Sequence, residues 1–239
     1  MIPLFRSRTP GDIKETVCDH KDINEYLMKI AEDTMGTANE SKEIALVGRS
    51  NVGKSSLLNT LISGRPKSHL KTASERVRQG NLALTSKTPG KTNRLHFFKL
   101  PSLPLTLVDC PGYGFARASH TDKENWRRFM EAYLRKSQML HRVILLVDIK
   151  VGLMDSDKML LEMLSESKRP SMIVLTKADK VGDPEIKAQM DKTAEYLKAA
   201  GMMVSPFVHA ISTHNGFGMY ELIANLGYML EMPILRKPI

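Results

Sequence analysis

The stretch of the chain best suited to chemistry runs from Gly48 to Ser55 and reads Gly-Arg-Ser-Asn-Val-Gly-Lys-Ser. It follows an apolar, strand-like run and precedes a helix-like segment, and its glycines let successive backbone N–H groups turn inward onto one anion. The pattern predicts a polyphosphate site in which Lys54 reaches the β- and γ-phosphates and the Ser55 hydroxyl holds Mg²⁺. A glycine-rich turn before an ordinary helix is the alternative. The residues predicted to surround the phosphates are Gly48, Arg49, Ser50, Asn51, Val52, Gly53, Lys54, Ser55 and Ser56.

Two later segments carry residues suited to a nucleotide with bound Mg²⁺. Thr92 follows the Pro89-Gly90 turn just before a strand, where a phosphate-sensing loop places a second Mg²⁺ ligand. Asp109 ends a strand and can hold Mg²⁺ through water, while the Gly112 N–H can bond the γ-phosphate. An Asp-x-x-Gly pattern is weak alone but gains specificity from its position after the phosphate loop. The predicted contacts here are Gly90, Lys91, Thr92, Asp109, Cys110, Pro111 and Gly112.

A third group of residues is suited to reading a base. Asp179 closes a Thr-Lys-Ala-Asp sequence after a buried strand, and both of its oxygens can accept from N1–H and the 2-amino group of guanine, a donor pair that adenine lacks. The stem of Lys177 can lie along the base. A later loop at Ser212-Thr213 is placed to touch guanine O6 through backbone N–H groups, an assignment that rests on position more than on residue type. The predicted base contacts are Thr176, Lys177, Ala178, Asp179, Ser212 and Thr213.

The elements that must position these residues follow the order β-α-β-β-α-β-α-β-α-β-α. This order predicts an α/β fold, namely a doubly wound, mostly parallel six-stranded sheet with helices on both faces and ligand loops at the carboxyl ends of the strands. The predicted strands cover residues 43–47, 95–100, 105–108, 143–147, 172–175 and 205–211, and the predicted helices cover 55–63, 122–137, 156–165, 184–200 and 218–230.

Length and composition limit the chain to one domain and favour a negatively charged partner. A chain of 239 residues, 42% of them hydrophobic, can bury the core of one domain with modest room for an extension. Weak patterning before the first buried strand predicts an N-terminal extension (1–42) with one short helix near Ile23–Ile30. Two cysteines are too few for a disulfide framework or a zinc site, and no apolar run approaches a membrane span. The net charge of +9 favours RNA or an acidic membrane surface as partner, with solubility alone as the alternative. A basic insertion at about 65–80 carries part of this charge; RNA contact is the hypothesis for this basic run, and an exposed, solvated loop is the alternative.

Taken together, the motifs resemble the EngB (YihA/YsxC-type) family within the TrmE-Era-EngA-EngB-Septin-like class of small GTPases. The resemblance covers about residues 43–232, which implies a GTPase domain with these bounds and a C-terminal tail (233–239). This resemblance implies a Ras-like P-loop GTPase fold, Mg²⁺-dependent hydrolysis of GTP at a slow intrinsic rate, and a role in maturation of the large ribosomal subunit. The segments that carry it are 43–56, 88–92, 109–114, 126–128 and 176–179.

The resemblance also suggests how hydrolysis is controlled. Lys54, Thr92, Gly112 and Asn51 are the candidate catalytic residues. Tyr113 stands where Ras-like enzymes place a Gln that orients the attacking water, so hydrolysis is expected to need the backbone, a cation or a partner. Asn51 matches the position that ligates K⁺ in related potassium-activated GTPases; an Asn that merely tolerates turn geometry is the alternative.

Two functions remain open at this level, besides a nucleotide-binding module that barely hydrolyses GTP. In the first, GTP binding lets the basic run from Arg65 to Arg94 dock on rRNA and proteins of a large-subunit precursor, and hydrolysis releases the factor. In the second, a membrane-associated or signalling GTPase uses the same basic surface on anionic lipid, although the sequence has no lipidation motif or amphipathic basic helix. The extension and the insertion favour the mitochondrial matrix; bacterial cytoplasm and plastid stroma are the alternatives.

Overall fold

The computed structural model describes residues 14–19, 42–63, 66–69, 94–100, 104–113, 120–201 and 204–230. Four of the sequence predictions lie wholly or mostly outside these ranges: the helix near Ile23–Ile30, the insertion at 65–80 beyond its first residues, the turn that contains Thr92, and the tail from 233 to 239.

A single mixed sheet runs through the described part of the chain. Its strands are β1 (Lys14–Asp19), β2 (Lys42–Gly48), β3 (Arg94–Leu100), β4 (Leu105–Asp109), β5 (Leu140–Asp148), β6 (Ser171–Thr176) and β7 (Val204–Ala210). They lie in the order β1-β3-β4-β2-β5-β6-β7. The strands from β4 to β7 in this order pair in parallel, whereas β3 is antiparallel to both β1 and β4. The carboxyl ends of the parallel strands therefore meet at one edge of the sheet.

Five helices in the described ranges cover the two faces of this sheet. They are α1 (Lys54–Ser63), α2 (His120–Lys136), α3 (Asp155–Glu166), α4 (Asp183–Ala199) and α5 (Met219–Met229). Helices α2, α3 and α4 pack on one face and α1 and α5 on the other. None of the helices in these ranges is long and apolar enough to span a membrane.

The central strands are apolar on both faces because both faces are covered. In β2, Ala45 and Val47 pack under α2 and α3, and Ile44 and Leu46 pack under α1 and α5, all of them at most 1% exposed. A strand buried in this way reads as a continuous apolar run and not as an alternating one. This is why the sequence identifies these strands so readily.

Polar side chains secure the amino end of β2. Glu43 is buried and accepts hydrogen bonds from the Tyr133 and Ser137 hydroxyls, both at 2.9 Å. Nearby, the Arg169 guanidinium donates to carbonyls at the end of α2, including that of Ser137 at 2.8 Å. These contacts satisfy carbonyls that a helix end otherwise leaves without partners.

All six predicted strands are present, each within about three residues of its expected bounds, and the Ras-like α/β fold is confirmed. The sheet gains a seventh strand, β1, from the extension that sequence reasoning had placed outside the domain. It joins the outer edge of β3, where it satisfies backbone groups that an edge strand would leave open.

Candidate nucleotide-binding site

The phosphate loop lies between the end of β2 and the start of α1. Gly48, Asn51 and Gly53 have φ values of 152°, 61° and 118°, which L side chains rarely adopt. A Cβ on Gly48 would come within 2.7 Å of the Leu146 carbonyl oxygen. Both glycines are therefore required by the backbone path, as the sequence predicts.

Lys54 closes this loop from within. It is 9% exposed, and its ammonium donates to the carbonyl oxygens of Gly48 at 3.0 Å and Arg49 at 3.2 Å. Burial lowers the pKa of Lys54, and the negative charge of Asp109 partly opposes that shift. A bound polyphosphate would bring further negative charge to the same ammonium and so offset its desolvation.

Hard oxygen donors suited to Mg²⁺ converge beside the loop. The Ser55 hydroxyl donates to Asp109 Oδ2 at 3.0 Å, although the two residues lie on α1 and at the end of β4. A hydroxyl and a carboxylate are the donor types that Mg²⁺ takes in such sites, and the remaining positions are filled by water and phosphate oxygens. The residues present therefore fit Mg²⁺. Thr92, the third predicted ligand, and its neighbours Gly90 and Lys91 lie outside the described residues.

The Asp-x-x-Gly segment lies directly against the phosphate loop. A Cβ on Gly112 would come within 2.7 Å of Ser50 Oγ and 3.0 Å of Lys54 Nζ, so a larger residue would collide with the site. The Ser50 N–H donates to the Tyr113 carbonyl at 3.2 Å. The Cys110 side chain is buried, and burial raises the pKa of its thiol well above the ordinary value. The Cys110 N–H donates to the Leu46 carbonyl at 3.1 Å, which attaches the start of the segment to β2.

Tyr113 does not face the phosphates. Its side chain is 7% exposed, and its hydroxyl donates to Asp157 Oδ1 at 2.7 Å. Its ring lies 5.1 Å from that of Trp126, whose indole N–H donates to the Pro111 carbonyl at 3.0 Å. Tyr113 thus cannot orient an attacking water in this conformation, which agrees with the sequence analysis.

The base-reading residues follow β6. Thr176 ties them to the phosphate loop, because its hydroxyl donates to the Val52 carbonyl at 2.7 Å. Lys177 has φ 63°, and its ammonium donates to Asp148 Oδ2 at 2.7 Å, which fixes the side chain at the end of β5. Burial tends to raise the pKa of Asp148, but the Lys177 contact, with help from nearby amide and lysine groups, outweighs it and lowers the pKa. Ala178 is buried.

Asp179 is exposed and is held from one side by the loop after β7. The buried Ser212 hydroxyl donates to Asp179 Oδ1 at 2.5 Å. The Ser212 N–H already donates to the Phe217 carbonyl at 2.9 Å, so in this conformation Ser212 supports Asp179 and does not offer its N–H to the base. This differs from the expected contact with guanine O6. The neighbouring Thr213 accepts from the Lys67 N–H at 3.0 Å, which joins the loop to the first residues of the insertion.

The structure thus brings the predicted phosphate, Mg²⁺ and base residues in the described ranges to one edge of the sheet. Sequence reasoning missed three contributors: Asp157, the Trp126 indole, and the support that Ser212 gives to Asp179. An aspartate in the first turn of a helix was the available signal for Asp157, but such residues commonly serve only as helix caps.

Comparison with known proteins agrees with this geometry. Residues 43–177 match the family model described as 50S ribosome-binding GTPase. The chain is 40% identical over 184 residues to a probable GTP-binding protein EngB of Gluconobacter oxydans, covering 77% of this chain and 74% of that one. It is 36% identical over 191 residues to the corresponding protein of Gemmatimonas aurantiaca, covering 80% and 84%.

Two solved structures show the same fold. A crystal structure of a probable GTP-binding protein EngB superimposes with a TM-score of 0.58 at 19% identity, over 79% of this chain and 98% of that one. A structure of Era in complex with MgGDPNP and a segment of 16S ribosomal RNA superimposes with a TM-score of 0.55 at 17% identity, over 84% and 59%.

Proposed function

This chain belongs to the EngB family of GTP-binding proteins and is a GTPase, and we propose that it uses GTP hydrolysis to time a step in assembly of the large ribosomal subunit. The observation that carries the ribosomal part is the match of residues 43–177 to the family model described as 50S ribosome-binding GTPase. The positive charge of the chain also supports a nucleic-acid client, since +9 at neutral pH favours a phosphate-rich surface.

The residues of the chain divide the work of GTP binding between them. Backbone N–H groups of the phosphate loop and the Lys54 ammonium hold the β- and γ-phosphates, while Asp179, oriented by Ser212, selects guanine. Ser55 and Thr92, with Asp109 through water, would hold Mg²⁺, which neutralises charge on the phosphates when bound. The Gly112 N–H would detect the γ-phosphate and so distinguish GTP from GDP.

The proposal explains why hydrolysis would wait for a partner. With Tyr113 buried against Asp157, the side chain at the position of the Ras-like Gln is not available to orient water. A client docked against the nucleotide edge would complete the site, which is how a slow GTPase becomes a timer.

We further propose that Asn51 ligates K⁺ beside the β- and γ-phosphates. Asn51 is exposed in the phosphate loop, and its φ of 61° also fits the alternative of a residue chosen for turn geometry. Asn51→Gly separates the two, because glycine keeps the positive φ and removes the amide. If K⁺ binds there, replacing K⁺ by Na⁺ slows GTP turnover severalfold in the wild-type protein and leaves Asn51→Gly unchanged. Equal wild-type rates in both salts would contradict the proposal.

The ribosomal role can be tested by co-sedimentation of the purified protein. Large-subunit precursors, mature large subunits, small subunits and anionic liposomes would each be mixed with the protein plus GDP or a non-hydrolysable GTP analogue. Asp179→Asn serves as the control, because loss of its bidentate contact to guanine costs about 3 kcal/mol of nucleotide binding or more. We expect binding to large subunits or their precursors with the GTP analogue only, and no such binding by Asp179→Asn.

The samples with GDP, small subunits and liposomes give the results that would contradict the proposal. Equal binding with both nucleotides, or to both subunits, would argue against a nucleotide-timed step on the large subunit. Binding to liposomes alone would favour a membrane-associated GTPase. Nucleotide affinity measured in parallel separates these outcomes from a loss of the GTP site itself.

A further inference from the structure

A fully buried carboxylate supports the nucleotide site without being one of its predicted nucleotide contacts. Asp157, in the first turn of α3, is 0% exposed. It accepts hydrogen bonds from the Tyr113 hydroxyl at 2.7 Å and the Met154 N–H at 2.8 Å, and it forms an ion pair with Arg49 Nε at 3.3 Å. A buried carboxylate is costly unless each of its oxygens has a partner, and here the partners come from different parts of the nucleotide edge.

These partners fix the phosphate loop against the Asp-x-x-Gly segment. Arg49 is the second residue of the phosphate loop, and it also donates to the Gly152 carbonyl at 3.1 Å. Tyr113 immediately follows Gly112, and its backbone forms a parallel bridge with Arg49. Asp157 therefore contacts both of these neighbouring segments, through the Tyr113 hydroxyl and the Arg49 guanidinium.

The spacing between these two segments is tight at Gly112. A Cβ there would be 3.1 Å from Ser50 Cα and 2.7 Å from Ser50 Oγ, so the two backbones leave no room for a side chain unless one of them shifts. Burial, with the nearby Asp157 charge, raises the pKa of Tyr113 well above its ordinary value. The phenol therefore keeps its proton and remains a donor throughout the neutral range.

We propose that Asp157 is a positioning residue for the γ-phosphate contact: through the Tyr113 hydroxyl and Arg49 it holds the Gly112 N–H at the distance from the phosphate loop that GTP requires. GDP has no γ-phosphate, so its binding depends on the loop, Lys54 and the base contacts but not on Gly112. The proposal rests on the GTPase activity and not on the ribosomal role, so either can fail without the other.

Trp126 provides a spectroscopic probe of this position. It is the one tryptophan of the chain, its indole N–H bonds the Pro111 carbonyl, and its ring contacts Tyr113. A shift of the segment from Pro111 to Tyr113 changes the surroundings of the indole. The emission of Trp126 should therefore differ between the GDP-bound and GTP-bound protein.

The test compares Asp157→Asn and Tyr113→Phe with the wild-type protein. Tyr113→Phe keeps the buried ring and removes only the hydroxyl, so it remains informative if Asp157→Asn does not fold. The matched control is Asp155→Asn, which makes the same change two positions earlier on the same helix, at a side chain that is 96% exposed and pairs with Lys158. Affinities for GDP and for a non-hydrolysable GTP analogue, Trp126 emission in both states, and the melting temperature would be measured for each variant.

We expect affinity for the GTP analogue to fall about tenfold in both test variants, because a weaker or missing hydrogen bond between Tyr113 and Asp157 loosens the Gly112 segment. Affinity for GDP should change less than about twofold, because GDP has no γ-phosphate for the Gly112 N–H to contact. The difference in Trp126 emission between the two states should shrink, and Asp155→Asn should behave as wild type. An equal loss for GDP and the GTP analogue would show a merely structural role and overturn the proposal. Unchanged affinities in folded Tyr113→Phe would overturn it as well.

Discussion

At the scale of a single residue, the Ser212 hydroxyl is expected to strengthen guanine binding through its contact with Asp179. It is buried and donates to Asp179 Oδ1, so it restricts the carboxylate to one orientation. In Ser212→Ala we expect GDP to bind about tenfold more weakly, because a hydrogen bond to a charged group is typically worth about 1.5–3 kcal/mol. Binding of GDP and of IDP, whose base lacks the 2-amino group, would be measured by calorimetry.

The comparison of the two nucleotides tests the mechanism. If Ser212 orients Asp179 for both guanine donors, the preference for GDP over IDP should shrink in Ser212→Ala. A parallel loss of both affinities would mean that the loop has merely loosened. Ser167→Ala is the control, because it removes a hydroxyl that bonds the Met163 carbonyl at the end of α3, away from the base.

Glu43, at the amino end of β2, is expected to make the stability of the fold depend on pH. Burial raises its pKa, and the contacts with Ser137, Tyr133 and Arg169 offset only part of that shift. The folded state therefore binds the proton more tightly than the unfolded state does. Stability due to Glu43 is fully present below the unfolded pKa, about 4.5, and is lost as pH rises through the folded value.

Glu43→Gln should remove this dependence. The amide oxygen can still accept from Tyr133 and Ser137, so packing is kept while the buried charge disappears. We expect the free energy of unfolding of the variant, relative to wild type, to improve in urea titrations as the pH rises from about 4.5 through the raised pKa of Glu43. A constant difference across this range would show that Glu43 does not titrate there.

At the scale of elements, the start of α5 depends on one glycine. Gly218 caps the helix with φ 66°, and a Cβ there would lie 2.0 Å from the Ala210 carbonyl oxygen. Gly218→Ala should destabilise the fold by roughly 2–5 kcal/mol, the sum of left-handed strain and overpacking. Gly201→Ala is the matched control, since its φ is 59° but nothing lies within 4 Å of the added Cβ.

Denaturant unfolding of both variants would separate strain from collision. Gly201→Ala should lower the free energy of unfolding by about 1 kcal/mol, the cost of left-handed backbone strain alone. Similar losses of unfolding free energy in the two variants would show that the chain at Gly218 moves away from Ala210 easily. The close approach to the Ala210 carbonyl would then add no measurable cost.

The elements show which features a sequence can predict. Strands such as β2 and β6 were predictable because burial on both faces leaves a continuous apolar run. β1 was not, because Lys14–Asp19 has the composition of an exposed segment and becomes a strand only by pairing with β3, far along the chain. The hydrophobic pattern of a short segment carries no information about a pairing strand that lies about 80 residues away.

At the scale of the molecule, the same limit applies to the site. Gly48, Lys54, Asp109 and Asp179 were predictable because phosphate and guanine chemistry requires those residue types at those places. Asp157 was not predictable, because its proposed role depends on a contact with Tyr113, which lies 44 residues earlier in the chain. No sequence motif relates the two residues. A function carried by a long-range contact emerges only when the fold is known.

The charge of the whole chain leads to a final prediction, for the proposed docking on the large subunit. The insertion carries four basic side chains, those of Lys67, Lys71, Arg76 and Arg78. Of these four, the structure describes Lys67, whose N–H donates to the Thr213 carbonyl in the loop after β7. Replacing all four by Gln keeps the backbone contacts of Lys67 and removes four positive charges. If they contact rRNA phosphates, binding to the large subunit should weaken, and the slope of log K against log salt should become shallower by up to about 3, roughly 0.7 for each contact.

A charge-matched variant makes the test specific, because any loss of positive charge weakens binding to RNA to some extent. Replacing the exposed lysines Lys168, Lys187, Lys192 and Lys198 by Gln lowers the net charge by the same amount on other surfaces. Sedimentation with large subunits at several salt concentrations, with GDP affinity as a check on the site, should show the larger loss and the shallower slope in the insertion variant. Equal slopes in the two variants would mean that the insertion acts only through net charge, and an unchanged slope in the insertion variant would remove it from the docking surface.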